Sequence, residues 1–313
     1  MSENFSGEKI LITGGTGFLG GYLVKELISK GCVPTVLTRN LRTHIGQVFG
    51  GKVNCVQVDL FEHRHLAKVL KQLRPDIIIH LAGYVHQAGI SEDVSEKLNF
   101  EASCRLLELA DAIEVKRFIL TGTADEYGFQ ASPQSENLKA MPVSNYAISK
   151  NRAVNQALFL YEKTKLPVVI LRPFTVYGVG QPSKMFITQA VNCAVRKIPF
   201  EMSEGLQKRD LLFVTDFTDA IIEFIKAEKV EGEIFNVGSG TSVALRDLAL
   251  KIWHITGADE KLLQIGARQT NAGELHDTEA DITKISRYLN WKPKITLDEG
   301  LRTVIESVKN NLQ

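Results

Sequence analysis

Lys9-Ile10-Leu11-Ile12-Thr13-Gly14-Gly15-Thr16-Gly17-Phe18-Leu19-Gly20 is the stretch on which the reading of this chain turns. Its first five residues make a short apolar run with the β-branched content of a buried strand. Glycines occupy positions 14, 15, 17 and 20. From Gly21 to Lys30 the apolar residues Leu23, Leu27 and Ile28 share one helical face, and Gly31 stands where a C-cap glycine would. Strand, glycine turn and helix in that order form a phosphate cradle. The glycines let the backbone approach a pyrophosphate, which the helix N-terminus then holds. The expected ligand is a dinucleotide, bound around Gly14, Gly17, Phe18, Leu19 and Gly20.

Strands and helices alternate beyond this turn. Val33–Leu37, Val53–Val58, Ile77–Leu81, Phe118–Leu120 and Val168–Leu171 are apolar runs of strand length separated by segments of helical periodicity. That alternation predicts an α/β protein with a Rossmann-type, doubly wound parallel sheet and right-handed crossovers. The 313 residues exceed the usual size of one domain. We therefore expect a dinucleotide-binding domain over 1–172 and a smaller C-terminal substrate-binding lobe over 173–313, with segments near 210–240 returning to the first domain.

The end of the second strand bears on the choice of dinucleotide. An NAD enzyme is expected to place Asp or Glu there, against the adenosine ribose. This chain has Thr38-Arg39-Asn40, with Arg42 close behind. A hydroxyl beside a guanidinium suits a 2′-phosphate, which favours NADP(H) with NAD(H) as the alternative; Arg39 as a solvated loop charge is the other reading. Asp59-Leu60 closes the third strand and His80-Leu81-Ala82-Gly83 the fourth, on the carboxyl edge where the cofactor would lie. Asp59 either accepts from an adenine amine or caps the next helix. His80 reads as a hydrogen-bonded scaffold histidine.

Tyr146 and Lys150 stand at i and i+4, on one face of a predicted helix, and Thr123 supplies a hydroxyl from the stretch Thr121-Gly122-Thr123-Ala124-Asp125-Glu126-Tyr127-Gly128. A phenol, an ammonium and a hydroxyl together can move a proton to or from a sugar alcohol during hydride transfer. The Lys150 charge is expected to lower the phenol from its reference pKa of about 10 towards neutrality.

Composition narrows the class. The 37 basic and 36 acidic side chains nearly cancel, which removes an electrostatic case for nucleic acid. No apolar run approaches the ~18 residues that cross a bilayer, and Met1–Gly7 is short and polar, so a cytoplasmic protein without membrane partners is expected. Cys32, Cys55, Cys104 and Cys193 are widely spaced and read as buried thiols; no metal site is suggested.

With these features in hand, the chain from Lys9 to about Leu312 resembles the extended short-chain dehydrogenase/reductases, the family of nucleotide-sugar epimerases, dehydratases and reductases. The glycine turn, Asp59-Leu60, His80-Leu81-Ala82-Gly83, Asn99, the Thr123 stretch, Tyr146–Lys150 and Arg172-Pro173-Phe174 come in the family's order. The resemblance implies that Tyr146 is the proton donor or acceptor, that Lys150 also binds the nicotinamide ribose, and that Thr123 orients the substrate oxygen. It implies too that Asn99 lies near the cofactor and steadies the active-site helix. Lys208-Arg209-Asp210-Leu211-Leu212-Phe213-Val214-Thr215-Asp216 is similar to the segment whose arginine meets the substrate diphosphate, so Arg209 is either that contact or a partner of Asp210 or Asp216. Thr175 replaces an amide that often contacts substrate phosphates. Asn271 replaces an expected arginine, with Arg268 a stand-in. Helices around Glu96–Ile113 and Tyr146–Lys163 correspond to those that pair in the family's homodimers.

The reaction depends on the residues just beyond Thr123. The family's 4,6-dehydratases place an acid and then a glutamate there; this chain has Ala124 and then Asp125. Asp125-Glu126-Tyr127-Gly128 looks more like the 4-ketosugar reductases, with Asp125 and Glu126 as substrate contacts. The leading expectation is therefore NADPH-dependent reduction at C4 of an NDP-4-keto-6-deoxyhexose. An NDP-sugar 4-epimerase of UDP-glucuronate or UDP-hexose type is the alternative and a 4,6-dehydratase the third. A non-catalytic NADP sensor is disfavoured by the intact Thr123, Tyr146 and Lys150.

Overall fold

The computed structural model describes residues 5, 7–41, 49–84, 96–269 and 275–312. They divide into two compact units. The first comprises Met1–Glu126, Pro142–Arg172 and Thr218–Phe235, the second Tyr127–Met141, Pro173–Phe217 and Asn236–Gln313. Residues 127–141, expected in the first domain, thus join the second unit. A distant segment holds them there: the Gln134 backbone donates to Glu279 O at 2.7 Å and accepts from Asp281 N at 2.8 Å. Residues 218–235 return to the first unit.

The first unit is built on strands β1 (Ile10–Thr13), β2 (Thr35–Thr38), β3 (Asn54–Gln57), β4 (Ile77–His80), β5 (Arg117–Thr121) and β6 (Val168–Pro173), joined at the edge by β10 (Ile234–Val237). Their order in the seven-stranded sheet is β10-β6-β5-β4-β1-β2-β3. Pairings from β3 across to β6 are parallel, with Ile12 beside both Val36 and Ile79. This is the doubly wound α/β architecture that the alternation predicts. The order reverses beside β1, so the carboxyl ends of β1 and β4 flank the crevice where such sheets bind ligands.

Among the described residues, the crossovers from β1, β3, β4 and β5 are made by helices that each bury one apolar stripe: α1 (Phe18–Ser29), α2 (His63–Leu73), α3 (Ala102–Ala112, entered through a π-turn over Glu96–Glu101) and α4 (Asn145–Thr164). Leu23, Val24 and Leu27 of α1 are buried, as are Leu106, Leu107 and Ala110 of α3. They pack over strand residues such as Leu11, Ile78 and Phe118, which are fully excluded from solvent. Gly31, just past α1, takes φ +79°, the left-handed conformation expected of it. Arg117 fastens β5 to the C-terminal end of a further helix, α6 (Val214–Lys226), by donating to Phe224 O and Ala227 O and pairing with Glu231.

In the second unit β9 (Lys208–Phe213) pairs with β7 (Thr175–Tyr177), β11 (Ser242–Ala244) and β13 (Asp277–Thr278), while β8 (Phe200–Met202) pairs with β12 (Leu263–Ile265). Helices α5 (Phe186–Arg196), α7 (Leu245–Thr256), α8 (Thr283–Leu289) and α9 (Leu297–Asn310) complete it. Phe186, edge-on to Phe200, and Trp253, tilted against Phe200, make one nucleus of its core. Of the four cysteines only Cys32 is buried; Cys55, Cys104 and Cys193 are partly exposed, short of the burial expected of them. Among the described residues no helix is long and apolar enough to cross a membrane.

Candidate active site

The glycine turn packs too tightly for side chains. Gly14 has φ +71°, and a Cβ there would lie 2.6 Å from Ala82 N; one on Gly20 would run into Gly14 O and Gly15 Cα. Gly17 N donates to Gly14 O at 2.9 Å, closing the turn into α1, which Phe18 and Leu19 begin. A cleft of about 340 Å³ opens over this turn, and its walls include Gly14, Gly17, Thr38, Arg39, Asp59, Leu60, Leu81 and Ala82. These expected cofactor residues come from separate stretches of the chain and meet in one place. Thr13, Thr16, Leu37, Asn40, Val58, Gly83 and Leu98 also line it, and nothing in their side chains marks them in the sequence. The cradle, with backbone N–H groups at a helix start and apolar walls on either side, fits the adenosine and pyrophosphate of a dinucleotide.

Asp59 does not cap α2, whose N-cap is Glu62. Its Oδ1 accepts from Phe61 N at 3.0 Å and it lines the cleft. At the end of β2, Thr38 Oγ1 lies 3.3 Å from Asn40 N, and Gln57 Nε2 donates to Arg39 O at 3.1 Å, which fixes the backbone that carries the Arg39 guanidinium. Arg42 and Asn271 lie outside the described residues.

Ser144 starts α4 by accepting from Ala147 N at 3.1 Å, so Tyr146 sits in the first turn and Lys150 one turn on. The Thr123 hydroxyl hydrogen-bonds the Tyr146 phenol. Lys150 is buried, and loss of hydration pulls its pKa down to about 8, opposed by the Glu126 carboxylate. The helical spacing predicts a Tyr146 acidified by Lys150. Instead the phenol of the partly exposed Tyr146 is raised, first by loss of hydration and then by the charge of Asp125, and the Thr123 hydrogen bond only moderates this.

A directional hydrogen-bond chain links the glycine turn to the catalytic helix. Ala82 N donates to Thr13 Oγ1 at 3.2 Å, which lies 2.6 Å from His80 Nδ1; His80 Nε2 lies 2.9 Å from Ser103 Oγ, which donates to Asn99 O at 2.8 Å. His80 is fully buried, which drives its pKa down to about 3 and keeps the ring neutral. The donors fix its tautomer: Nδ1 accepts from Thr13 and Nε2–H donates to Ser103. Asn99 Nδ2 donates to Tyr84 O at 3.1 Å and Ser149 Oγ at 3.3 Å, while Asn99 Oδ1 accepts from Tyr84 N at 2.7 Å. Ser149 Oγ in turn donates to Tyr146 O at 2.9 Å. Asn99, placed among the cofactor contacts by resemblance, thus spends its amide on protein groups and steadies α4.

Glu126 requires a correction. Expected to touch substrate, it is 0 % exposed, and its oxygens accept from Thr123 N at 2.9 Å and from Arg172 Nε and Nη2 at 3.0 and 2.7 Å. Asp125, beside it, remains partly exposed. In the second unit Thr175 lies partly exposed on β7, and Arg209 Nη1 on β9 donates to Lys208 O and His276 O at 2.8 and 3.3 Å. Asp210 faces away from it, accepting from Ser239 N at 2.6 Å, Gly240 N at 2.9 Å and Ala280 N at 3.1 Å. Arg268 pairs with Glu201 at 3.4 Å on the surface.

The sequence profile described as the NAD dependent epimerase/dehydratase family matches residues 10–238. The chain belongs to that family. Like other members of the epimerase/dehydratase family, it matches relatives over nearly its whole length. It is 26 % identical to a UDP-glucose 4-epimerase of Rhizobium leguminosarum bv. trifolii over 95 % of this chain and 96 % of that one. It is 25 % identical to a UDP-N-acetyl-alpha-D-glucosaminuronate decarboxylase of Bacillus cytotoxicus over 96 % and 97 %. The solved structure of MoeE5 in complex with UDP-glucose and NAD superposes with a TM-score of 0.87 at 27 % identity, covering 97 % of this chain and all (100 %) of that one. These relatives are nucleotide-sugar enzymes, and this epimerase/dehydratase family member is an enzyme of that kind with a pyridine nucleotide cofactor. The expected 4-ketosugar reductase finds no support among them, and the expected preference for NADP(H) none either, MoeE5 holding NAD.

Proposed function

We propose that the protein is an NAD-dependent UDP-sugar 4-epimerase, inverting C4 of a UDP-hexose or UDP-hexuronate through a transient 4-ketone. The observation that carries this reading is the Thr123–Tyr146–Lys150 set, joined in one unit with a dinucleotide cleft, with Ala124 and Asp125 at the two positions where a dehydratase would carry its extra acid and base, and the next carboxylate, Glu126, committed to Arg172. A bound nicotinamide supplies the hydride acceptor and donor. Tyr146 takes the proton from the C4 hydroxyl as the ketone forms and returns it as the alcohol is rebuilt. Thr123 holds that oxygen by hydrogen bond, and Lys150 supports the phenolate by charge.

Dehydration needs an acid and a base besides the tyrosine. Ala124 offers neither, and Glu126 is committed to Arg172 and Thr123, so Asp125 would have to serve as both. The same burial removes Glu126 from the argument for a ketoreductase. Arg209, with Thr175 and Arg268, is assigned to the substrate side of the reaction, Arg209 to the diphosphate. NAD is the cofactor of this cycle; Arg39 in the cleft wall, with no carboxylate at the end of β2, favours NADP as a second ligand of the same site. A homodimer through α3 and α4 belongs to the proposal, supported by exposed Phe159 and Ile148 on α4.

The test is turnover of UDP-glucose and UDP-glucuronate with NAD, read by separation of the C4 epimers. The wild-type protein is expected to reach an epimeric equilibrium with one of them, and Tyr146→Phe to lose about 10²–10⁴-fold in rate while still binding NAD. No epimer from either sugar, together with NADPH oxidation by an NDP-4-keto-6-deoxyhexose, would overturn the epimerase in favour of the reductase.

A further inference from the structure

A buried carboxylate lies beneath the catalytic hydroxyl, and the reaction as described gives it no part. Glu126 closes the short turn Ala124–Tyr127, its backbone N donating to Thr123 O at 3.2 Å while its own Oε1 accepts from Thr123 N at 2.9 Å. Thr123 is therefore gripped through both backbone groups by one residue. The carboxylate enters this space because residue 122 is glycine: a Cβ there would fall on Glu126 Oε1 and lie 3.3 Å from Val154. Arg172, at the end of β6 and 3 % exposed, meets the other oxygen with two N–H groups. Asp125 and Glu126, adjacent in sequence and alike in chemistry, are separated by the fold, one towards solvent and one inward.

We infer that Glu126 is a positioning residue of the proposed 4-epimerase, locking the Thr123 backbone against the Tyr146 phenol and holding a buried negative charge beside the Tyr146 and Lys150 pair. The inference rests on the epimerase reading for its kinetic part alone. Among the described residues, Asp125 and Glu126 from the turn and His80 from β4 are the charged or titratable groups coupled to the pair, and Arg172 from β6 acts on Glu126. His80 is neutral, and the Glu126 carboxylate acts directly on both members: it favours the ammonium of Lys150 and opposes the phenolate of Tyr146. Removing it therefore lowers the pKa of both groups.

Glu126→Gln alone removes the carboxylate that neutralises the buried Arg172 guanidinium and can fail to fold. The informative variant is the pair Glu126→Gln with Arg172→Met, which keeps an acceptor for Thr123 N–H and fills the arginine's volume without charge. Two readouts apply. In protein labelled with ¹³C-lysine, the Lys150 side-chain resonance, assigned by its loss in Lys150→Met, is expected to titrate near 8 in the wild type and about one pH unit lower in the double variant. In turnover, kcat is expected to fall about tenfold or more with KM changed little, and the pH profile to move to lower pH by a similar step. A folded double variant with the wild-type Lys150 midpoint and pH profile overturns the inference. Absence of epimerase activity in the wild type defeats the reaction assigned above instead, and the Lys150 midpoint still decides the role of Glu126.

Discussion

Lowering the pH from 7 to 5 should cost this fold about 2 kcal/mol through a single side chain, His80. The unfolded imidazole titrates near 6.5, and burial holds it at about 3 in the folded protein. A lowered histidine pKa means that the unfolded chain binds the proton more readily. Stability is thus complete above about 6.5 and falls as the pH drops towards 3. At pH 5 the unfolded state is favoured by about 1.5 pH units of proton uptake, about 2 kcal/mol, and near pH 3, where the folded ring is itself half protonated, by about 4 kcal/mol at 1.36 kcal/mol per unit. The assay is urea unfolding of wild type and His80→Gln at pH 7 and pH 5. The variant starts less stable, because Thr13 and Ser103 lose their shared partner, but it lacks the titrating group. Its stability should fall between the two pH values by about 2 kcal/mol less than that of the wild type. Equal losses in the two proteins would refute the reasoning, since they would mean that His80 is not held neutral by its surroundings.

The dinucleotide cleft carries two further expected outcomes. Gly20→Ala sets a Cβ against the backbone of Gly14 and Gly15; it should destabilise the protein by about 1–3 kcal/mol in thermal unfolding and weaken NAD in calorimetry, and wild-type affinity in a stable variant would contradict the cradle. Arg39→Ala should weaken NADP(H) by about tenfold or more, the worth of a charge-assisted contact, while leaving NAD within a few-fold, as read by fluorescence titration; equal effects on the two would remove Arg39 from the ribose.

The parts legible in the sequence are those whose geometry is local. The glycine turn announces itself because Gly14, Gly17 and Gly20 answer to contacts within one strand–turn–helix unit. Tyr146 and Lys150 share a face by helical spacing alone. Strand ends such as Asp59-Leu60 and Leu81-Ala82 can be gathered into one cleft because parallel topology brings carboxyl ends to a common edge. Glu126 misleads because its environment is not local: the arginine that neutralises it stands 46 residues on, and a carboxylate next to Asp125 in a polar stretch looks exposed. The Tyr146 pKa escapes for a related reason, since spacing reveals the ammonium but not the loss of hydration or the nearby Asp125 that raise the phenol. His80 is legible as scaffold, yet its partners Thr13 and Ser103 are an ordinary strand threonine and helix serine that nothing in the sequence singles out. The exchange of residues 127–141 to the second unit depends likewise on Gln134 meeting a segment near Ala280, far along the chain.

In the proposed epimerisation, hydrogen leaves C4 and returns to C4 within one active site. The most direct test is to give the purified protein NAD and a UDP-sugar carrying deuterium at C4, and to follow the sugar by NMR and mass spectrometry. Inversion at C4 with deuterium retained on that carbon, no exchange with solvent and no net change in NAD is the expected result. Deuterium lost to water, or accumulation of reduced dinucleotide with a keto product, would contradict it.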